Sequence, residues 1–232
     1  MYTFFMAANT SSDETYAVLR QQIIEGKLRP GTRLQQNEIA EQLGLSRVPL
    51  REAIRKLEGE RLVAVVPRKG VTVPDLTDDD IRDLYIIRIQ LEPLANRRAA
   101  EVITDEQITE LTEMTERLAT LLDSPSEFFY AHDEVIRSTL AISPGRIFND
   151  IVALVRERSQ YLRYSYAQFP GQTEVLLQQR RELVRAFSAR RADLVEGLTR
   201  LDLIEGRDAL LAWRAQQPRA GNGSAEHLEA GR

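Results

Sequence analysis

The chain has 232 residues, a formal net charge of −4, 43% hydrophobic and 28% charged residues, enough apolar material to bury a core in one large or two modest domains. Cysteine is absent and the histidines are His132 and His227, which excludes disulfides, thiol nucleophiles and a three-histidine metal site within one chain. No stretch approaches the roughly 20 uninterrupted apolar residues that span a bilayer, and the opening MYTFFMAANTSSDE lacks the basic n-region of a secretory signal; a cytoplasmic protein without a membrane partner is expected.

In chain order, residues 1–13 read as disordered, and Glu14 to Glu25 as a helix with Ala17, Val18, Ile23 and Ile24 on its apolar side. Gly26 and Pro30-Gly31 break it. Asn37 to Leu43 is a second, short helix carrying Ile39, Ala40 and Leu43, stopped by Gly44. Ser46 can cap a third helix whose apolar positions Leu50, Ala53, Ile54 and Leu57 follow i, i+3, i+4, i+7. Leu62 to Pro67 and Val71 to Val73 are β-rich runs around Arg68-Lys69-Gly70, a hairpin signal. Two helices joined by a tight turn, then a basic ribbon, describe a winged helix-turn-helix over 14–74.

Residues 75–77 form a linker, and after them strand-like alternation disappears. Thr77-Asp78-Asp79-Asp80 and Thr104-Asp105-Glu106-Gln107 fit capping boxes. Ser124-Pro125 and Ser143-Pro144 are cap–proline pairs, Thr173 opens another helix, and Arg191-Ala192-Asp193 marks a turn. About six helices result, an antiparallel bundle over 78–215 followed by a disordered tail at 216–232. The fold class is therefore mainly α.

Charge is unevenly spread. From Lys27 to Lys69 ten basic residues face five acids, a net +5 that leaves −9 for the rest. On the third helix Arg47, Arg51 and Arg55 recur every four residues, about 110° from the middle of its apolar face at 100° per residue. Guanidiniums on that flank suit guanine edges or phosphates in a major groove. Ser46 offers a hydroxyl and N–H groups to a phosphate, and Lys69-Gly70 at the hairpin tip suits an adjacent minor groove.

Residues 28–73 carry PGxRL, ExAxxLGxSRxPxREAxxxLExExLV and a PxxG wing; the segment resembles the winged helix of GntR-family transcriptional repressors. The resemblance implies double-stranded DNA as partner, with Arg33, Ser46, Arg47, Pro49 and Arg51 in the major groove and on its backbone, and Lys69 and Gly70 from the wing; Arg55 joins them from the helical stripe. Val48 departs from the threonine usual in relatives, which removes one phosphate-directed hydroxyl.

The bundle, with DLYIIRIQLEPLANRRAA in its first helix, is similar to the effector domain of the FadR subfamily, six-helix variety. That implies a homodimer on a palindromic operator and a small carboxylate effector. Relatives often hold a divalent metal with one Asp and three His, and those positions fall here on Phe128, His132, Arg180 and Asp202. Two potential ligands, His132 and Asp202, are too few for a closed site, and an arginine opposes a dication, so no metal or other cofactor is expected.

Arg180 can instead supply the positive charge, with Arg88 as a second effector contact, or Asp202 can simply pair with Arg180. His132 reads equally as a core histidine or an effector contact. Tyr161, Tyr164, Tyr166 and Phe169 read as core or pocket wall. No nucleophile–base constellation exists, so an enzyme is not expected. A constitutive DNA-binding dimer with a degenerate pocket, and an enzyme or carrier built on the bundle, are the alternatives.

Overall fold

The computed structural model describes residues 12–42, 47–66 and 70–216; the expected disorder of 1–11 and of 217–232, like Gly44, Ser46 and the hairpin tip at 67–69, lies outside the described residues. The N-terminal head contains α1 (Ser12–Ile24), β1 (Arg33–Leu34), α2 (Gln36–Gln42), α3 (Arg47–Gly59), β2 (Ala64–Val66) and β3 (Gly70–Thr72). The strands form one antiparallel sheet in the order β1-β3-β2, with Arg33 opposite Thr72 and Val65 opposite Val71. Strand β1 was missed, because two residues carry no readable alternation.

Helix α3 buries Leu50, Ala53, Ile54 and Leu57, the four apolar positions predicted for it. They pack with Leu19 and Ile23 of α1, Ile39 of α2, and Val71 and Val73 at the sheet. The predicted phase of α1 needs correction. Ser12 and Asp13 are already helical, Ala17 is exposed and Val18 half-buried, while Thr15, Leu19 and Ile23 line the buried side at four-residue steps.

The helical domain comprises α4 (Asp78–Val102), α5 (Asp105–Arg117), α6 (Pro125–Ile142), α7 (Arg146–Arg158), α8 (Gln160–Ala167), α9 (Gln172–Ser188) and α10 (Ala192–Gln216). Among the described residues that is seven helices rather than six. The extra boundary is the single residue Ser159, whose buried hydroxyl donates to the Arg156 carbonyl between α7 and α8. Both predicted capping boxes form, Thr77 with Asp80 and Thr104 with Gln107.

Other boundaries shift. Helix α7 starts after Gly145, at φ +104, rather than at Ser143-Pro144; α9 starts after Gly171, at φ +72, while Thr173 donates to the Leu122 carbonyl. The last turn precedes Ala192, with Arg190 at φ +50. Positive φ suits glycine at Gly145 and Gly171, and a serine or threonine side chain cannot replace that backbone freedom.

Helices α4 and α10 pack along their lengths. Pro93 inside α4 has no N–H to give the Ile89 carbonyl four residues back, and Arg200 of α10 donates to that orphan oxygen at 3.0 Å. Asn96 bridges to Thr199 at 3.0 Å beside it. The bundle core gathers around Phe128, Leu118, Leu183, Phe187 and Val195, and includes Ile24 from α1.

Leu57→Ala, in the fully buried core of the head, is expected to cost about 2–5 kcal/mol, whereas Val48→Ala, at a position 67% exposed, should stay within about 0.5 kcal/mol. Urea midpoints of the two variants against the parent chain measure the contrast.

Candidate nucleic-acid interface and effector cavity

Arg51 and Arg55 stand exposed on the flank of α3 beside its buried stripe. Neither forms an ion pair with any other described residue, and Pro49 is half-buried near the helix start. Arg33 is exposed on β1 and reaches the first residue of β3: a Cβ at Gly70 would sit 3.6 Å from its Nε. Gly70 holds φ +78, which glycine adopts without strain. The side chain of Arg47, the first residue of α3, and both Ser46 and Lys69 lie outside the described residues. The structure thus brings Arg33 and Gly70 together and keeps Arg51 and Arg55 facing solvent.

In the helical domain Arg88, His132, Arg180 and Asp202 line one cavity of about 80 Å³. That is several times the roughly 10–15 Å³ that admits a single water. Tyr166, read from the sequence as core or pocket wall, lines it too, whereas Glu92, Asn96, Arg156 and Arg163 were not singled out from the sequence. The readable signal was a charged residue on an otherwise buried stripe, as Arg156 follows Val152 by four on α7 and Arg88 sits between Tyr85 and Ile89 on α4.

Ion pairs cross-link the wall. Arg88 donates to Glu92 at 2.6 Å, Arg156 donates to Glu92 and to Asp133 at 2.7 Å each, and Arg163 also donates to Asp133. Burial opposes the ionised form of Glu92, yet Arg88 and Arg156 hold it at about 2. The same contest leaves Asp133 well below the usual carboxylate range, with Arg163 and Arg156 prevailing over desolvation. Desolvation lowers Arg163 to about 10 against the pull of Asp133.

The far side is less well compensated. Burial lowers Arg180 and raises Asp202 to about 6, because the two meet at 3.7 Å, too far for a hydrogen bond to repay desolvation. His132 is driven well below its usual value by burial and by Arg180, so it is neutral, and its ring stacks 5.7 Å from that of Phe128. Among the described residues, Arg88 Nη1, Arg163 Nε, Arg180 Nε and His132 Nε2 are buried without a hydrogen-bond partner.

These residues do not fit a divalent metal. Phe128 is fully buried and offers a hydrocarbon ring, Arg180 brings a cation, and no group of three or more His, Asp or Glu placed to hold an ion exists among the described residues. Tyr164 is buried in the bundle core, and Tyr166 and Phe169 meet edge-to-face beside the cavity.

Residues 11–73 match the model of bacterial regulatory proteins of the gntR family, and residues 83–205 match the FCD domain. The chain belongs to the GntR family of transcriptional regulators, with an FCD effector-binding domain. Its relatives are regulators, not enzymes. The chain is similar to the HTH-type transcriptional repressor RspR of Escherichia coli K12, 27% identical over 80% of this chain and 82% of that one. It is also similar to the gluconate operon transcriptional repressor of Bacillus licheniformis, 30% identical over 52% and 51%. In fold it resembles E. coli McbR/YncC, with a TM-score of 0.74 at 22% identity, covering 91% of this chain and 100% of that one. No helix among the described residues is long and apolar enough to cross a membrane.

The raised pKa of Asp202 sets a pH signature. A carboxyl whose folded value exceeds its unfolded value of 3.8 favours folding when protonated, so stability is lost as pH rises from about 4 through about 6. Asp202→Asn removes that loss. The stability difference between variant and parent should therefore shift in the variant's favour by about 2–3 kcal/mol between about pH 4 and pH 7. Urea unfolding at both pH values measures it, and a constant difference would show that Asp202 ionises normally.

Proposed function

We propose that this regulator represses transcription by binding a palindromic operator as a homodimer, and that a small carboxylate held in the helical domain releases or re-poses it. The observation that carries the effector half is that Arg88, Arg163 and Arg180 line one cavity and each keeps a buried guanidinium donor without a partner. Buried donors ordinarily find acceptors, and a carboxylate accepts two parallel N–H bonds from one such fork. Arg180 supplies the positive charge in place of a metal, Asp202 orients it from 3.7 Å, and neutral His132 offers one hydrogen bond to a polar group of the ligand.

In the head, Arg33, Ser46, Arg47, Pro49, Arg51, Arg55, Lys69 and Gly70 form the DNA-contacting set, supported by the exposure of Arg33, Arg51 and Arg55. Repression is supported by relatives named as repressors. A two-fold dimer matches a symmetric operator. Ile147, Ile151 and Leu154 are exposed on α7 at i, i+4, i+7 spacing, an apolar stripe suited to a second copy. A cytoplasmic site of action follows from operator binding.

Arg51→Ala is expected to weaken operator binding by about 1–3 kcal/mol while leaving non-specific binding nearly unchanged, if the side chain reads a base. Fluorescence anisotropy at several salt concentrations checks it, and equal losses on all sequences would restrict Arg51 to phosphate. For the effector half, thermal unfolding is followed with a series of carboxylates from acetate to citrate. One of them should raise Tm by about 5–10 °C at roughly 100 times its Kd. Arg180→Ala should abolish that shift and keep operator binding. A series without any shift favours the constitutive alternative.

A further inference from the structure

The charged wall of the cavity continues outward to the head. Asp133 takes three guanidiniums: Arg156 at 2.7 Å and Arg163 from the cavity side, and Arg137 at 2.7 Å from the outer side. Arg137 also lies 4.0 Å from Glu157, the neighbour of Arg156 on α7. Glu157 accepts from Arg20 of α1. The same Arg20 nitrogen donates to Gln160 at 2.5 Å, and its Nε faces Glu60 at 3.4 Å. Glu60 follows the last residue of α3 and also accepts from Tyr16.

Around this path α1 is seated on the helical domain. Ile24 is fully buried in the bundle core, Tyr130 donates to Glu25 at 3.3 Å, and the Tyr161 ring comes within 3.2 Å of where a Cβ at Gly26 would be.

We propose that Arg20 and Glu157 are the coupling residues through which the cavity biases the pose of the DNA-binding head, by way of Asp133 and Arg137. The inference rests on the reading of the cavity as an anion site. An anion that draws Arg156 and Arg163 inward competes with Asp133 for both. Asp133 then holds Arg137 against less competition and draws it from Glu157, which changes the hold of Glu157 on Arg20. A coupling element needs two arrangements that a ligand can choose between. Asp133 with three possible partners and Glu157 with two supply them.

The test is a double-mutant cycle read by hydrogen exchange on the full chain, with neither DNA nor ligand added. Arg163→Gln, on the cavity side, is expected to change exchange of the α1 amides around Leu19 by about fivefold or more, the lower range of allosteric coupling. In an Arg20→Ala background the same substitution should leave those amides unchanged. Asp133→Asn serves as the second entry point, and Arg20→Lys, which keeps the charge but loses the planar fork, should suppress the effect as alanine does.

A change of equal size in the Arg20→Ala background, or no change in the parent background, overturns the relay. Failure of the anion-site reading looks different: no carboxylate shifts thermal unfolding while the ligand-free cycle stays intact.

Discussion

The helical domain is organised around a run of buried charges, Arg88–Glu92–Arg156–Asp133–Arg163, drawn from α4, α6, α7 and α8. Arg156 is its centre, 4% exposed on its side chain and bonded to both carboxylates. Breaking one member of such a run strands a desolvated charge, so the four helices are held in register by the cost of separating them. Packed hydrocarbon would stabilise the bundle as well, and stability alone does not account for the three arginines of this run. What the charges add is a cavity wall on which Arg88 Nη1, Arg163 Nε and Arg180 Nε are left without a hydrogen-bond partner.

Other features of the bundle keep that wall in place. Pro93 interrupts the α4 ladder one residue after Glu92, and the carbonyl it frees is taken by Arg200, so α10 is tied to α4 next to the ion-pair run. The Asn96–Thr199 bond adds a second tie one turn further along. At the other end, α1 belongs to two cores at once. Leu19 and Ile23 pack in the head while Ile24, 100° further round, packs in the bundle. A helix with two buried faces cannot rotate or slide without disturbing both domains.

What could be read from the sequence divides along the same physical lines. The buried face of α3 was legible because Leu50, Ala53, Ile54 and Leu57 leave only one phase for a helix. The capping boxes at Thr77 and Thr104 were legible because side-chain capping is local chemistry. The phase of α1 was not, since a helix buried on two sides has no single apolar stripe and a buried threonine reads as polar. Arg88 and Arg180 came from family resemblance. Arg156 carried only the signal of its place four residues after Val152 and Arg163 carried none, because the carboxylate that pairs with both, Asp133, lies on another helix. The boundary at Ser159 was hidden for a related reason: one residue carries no turn signature.

By family resemblance, Phe128, His132, Arg180 and Asp202 stand where relatives carry their metal ligands. His132, Arg180 and Asp202 line one cavity, and Phe128 lies against His132. Their chemistry is nevertheless different. A dication gathers ligands from all sides and sheds water to do so, whereas a guanidinium offers donors in one plane and keeps its charge at every accessible pH. Asp202 meets only one edge of that plane, at 3.7 Å, and leaves Arg180 Nε unclaimed. Phe128, fully buried, brings a hydrocarbon ring where the resemblance places an aspartate. On the proposed reading, the replacement turns a coordination site into a directional one, in which selectivity comes from the angle at which an acceptor approaches rather than from the number of ligands around an ion.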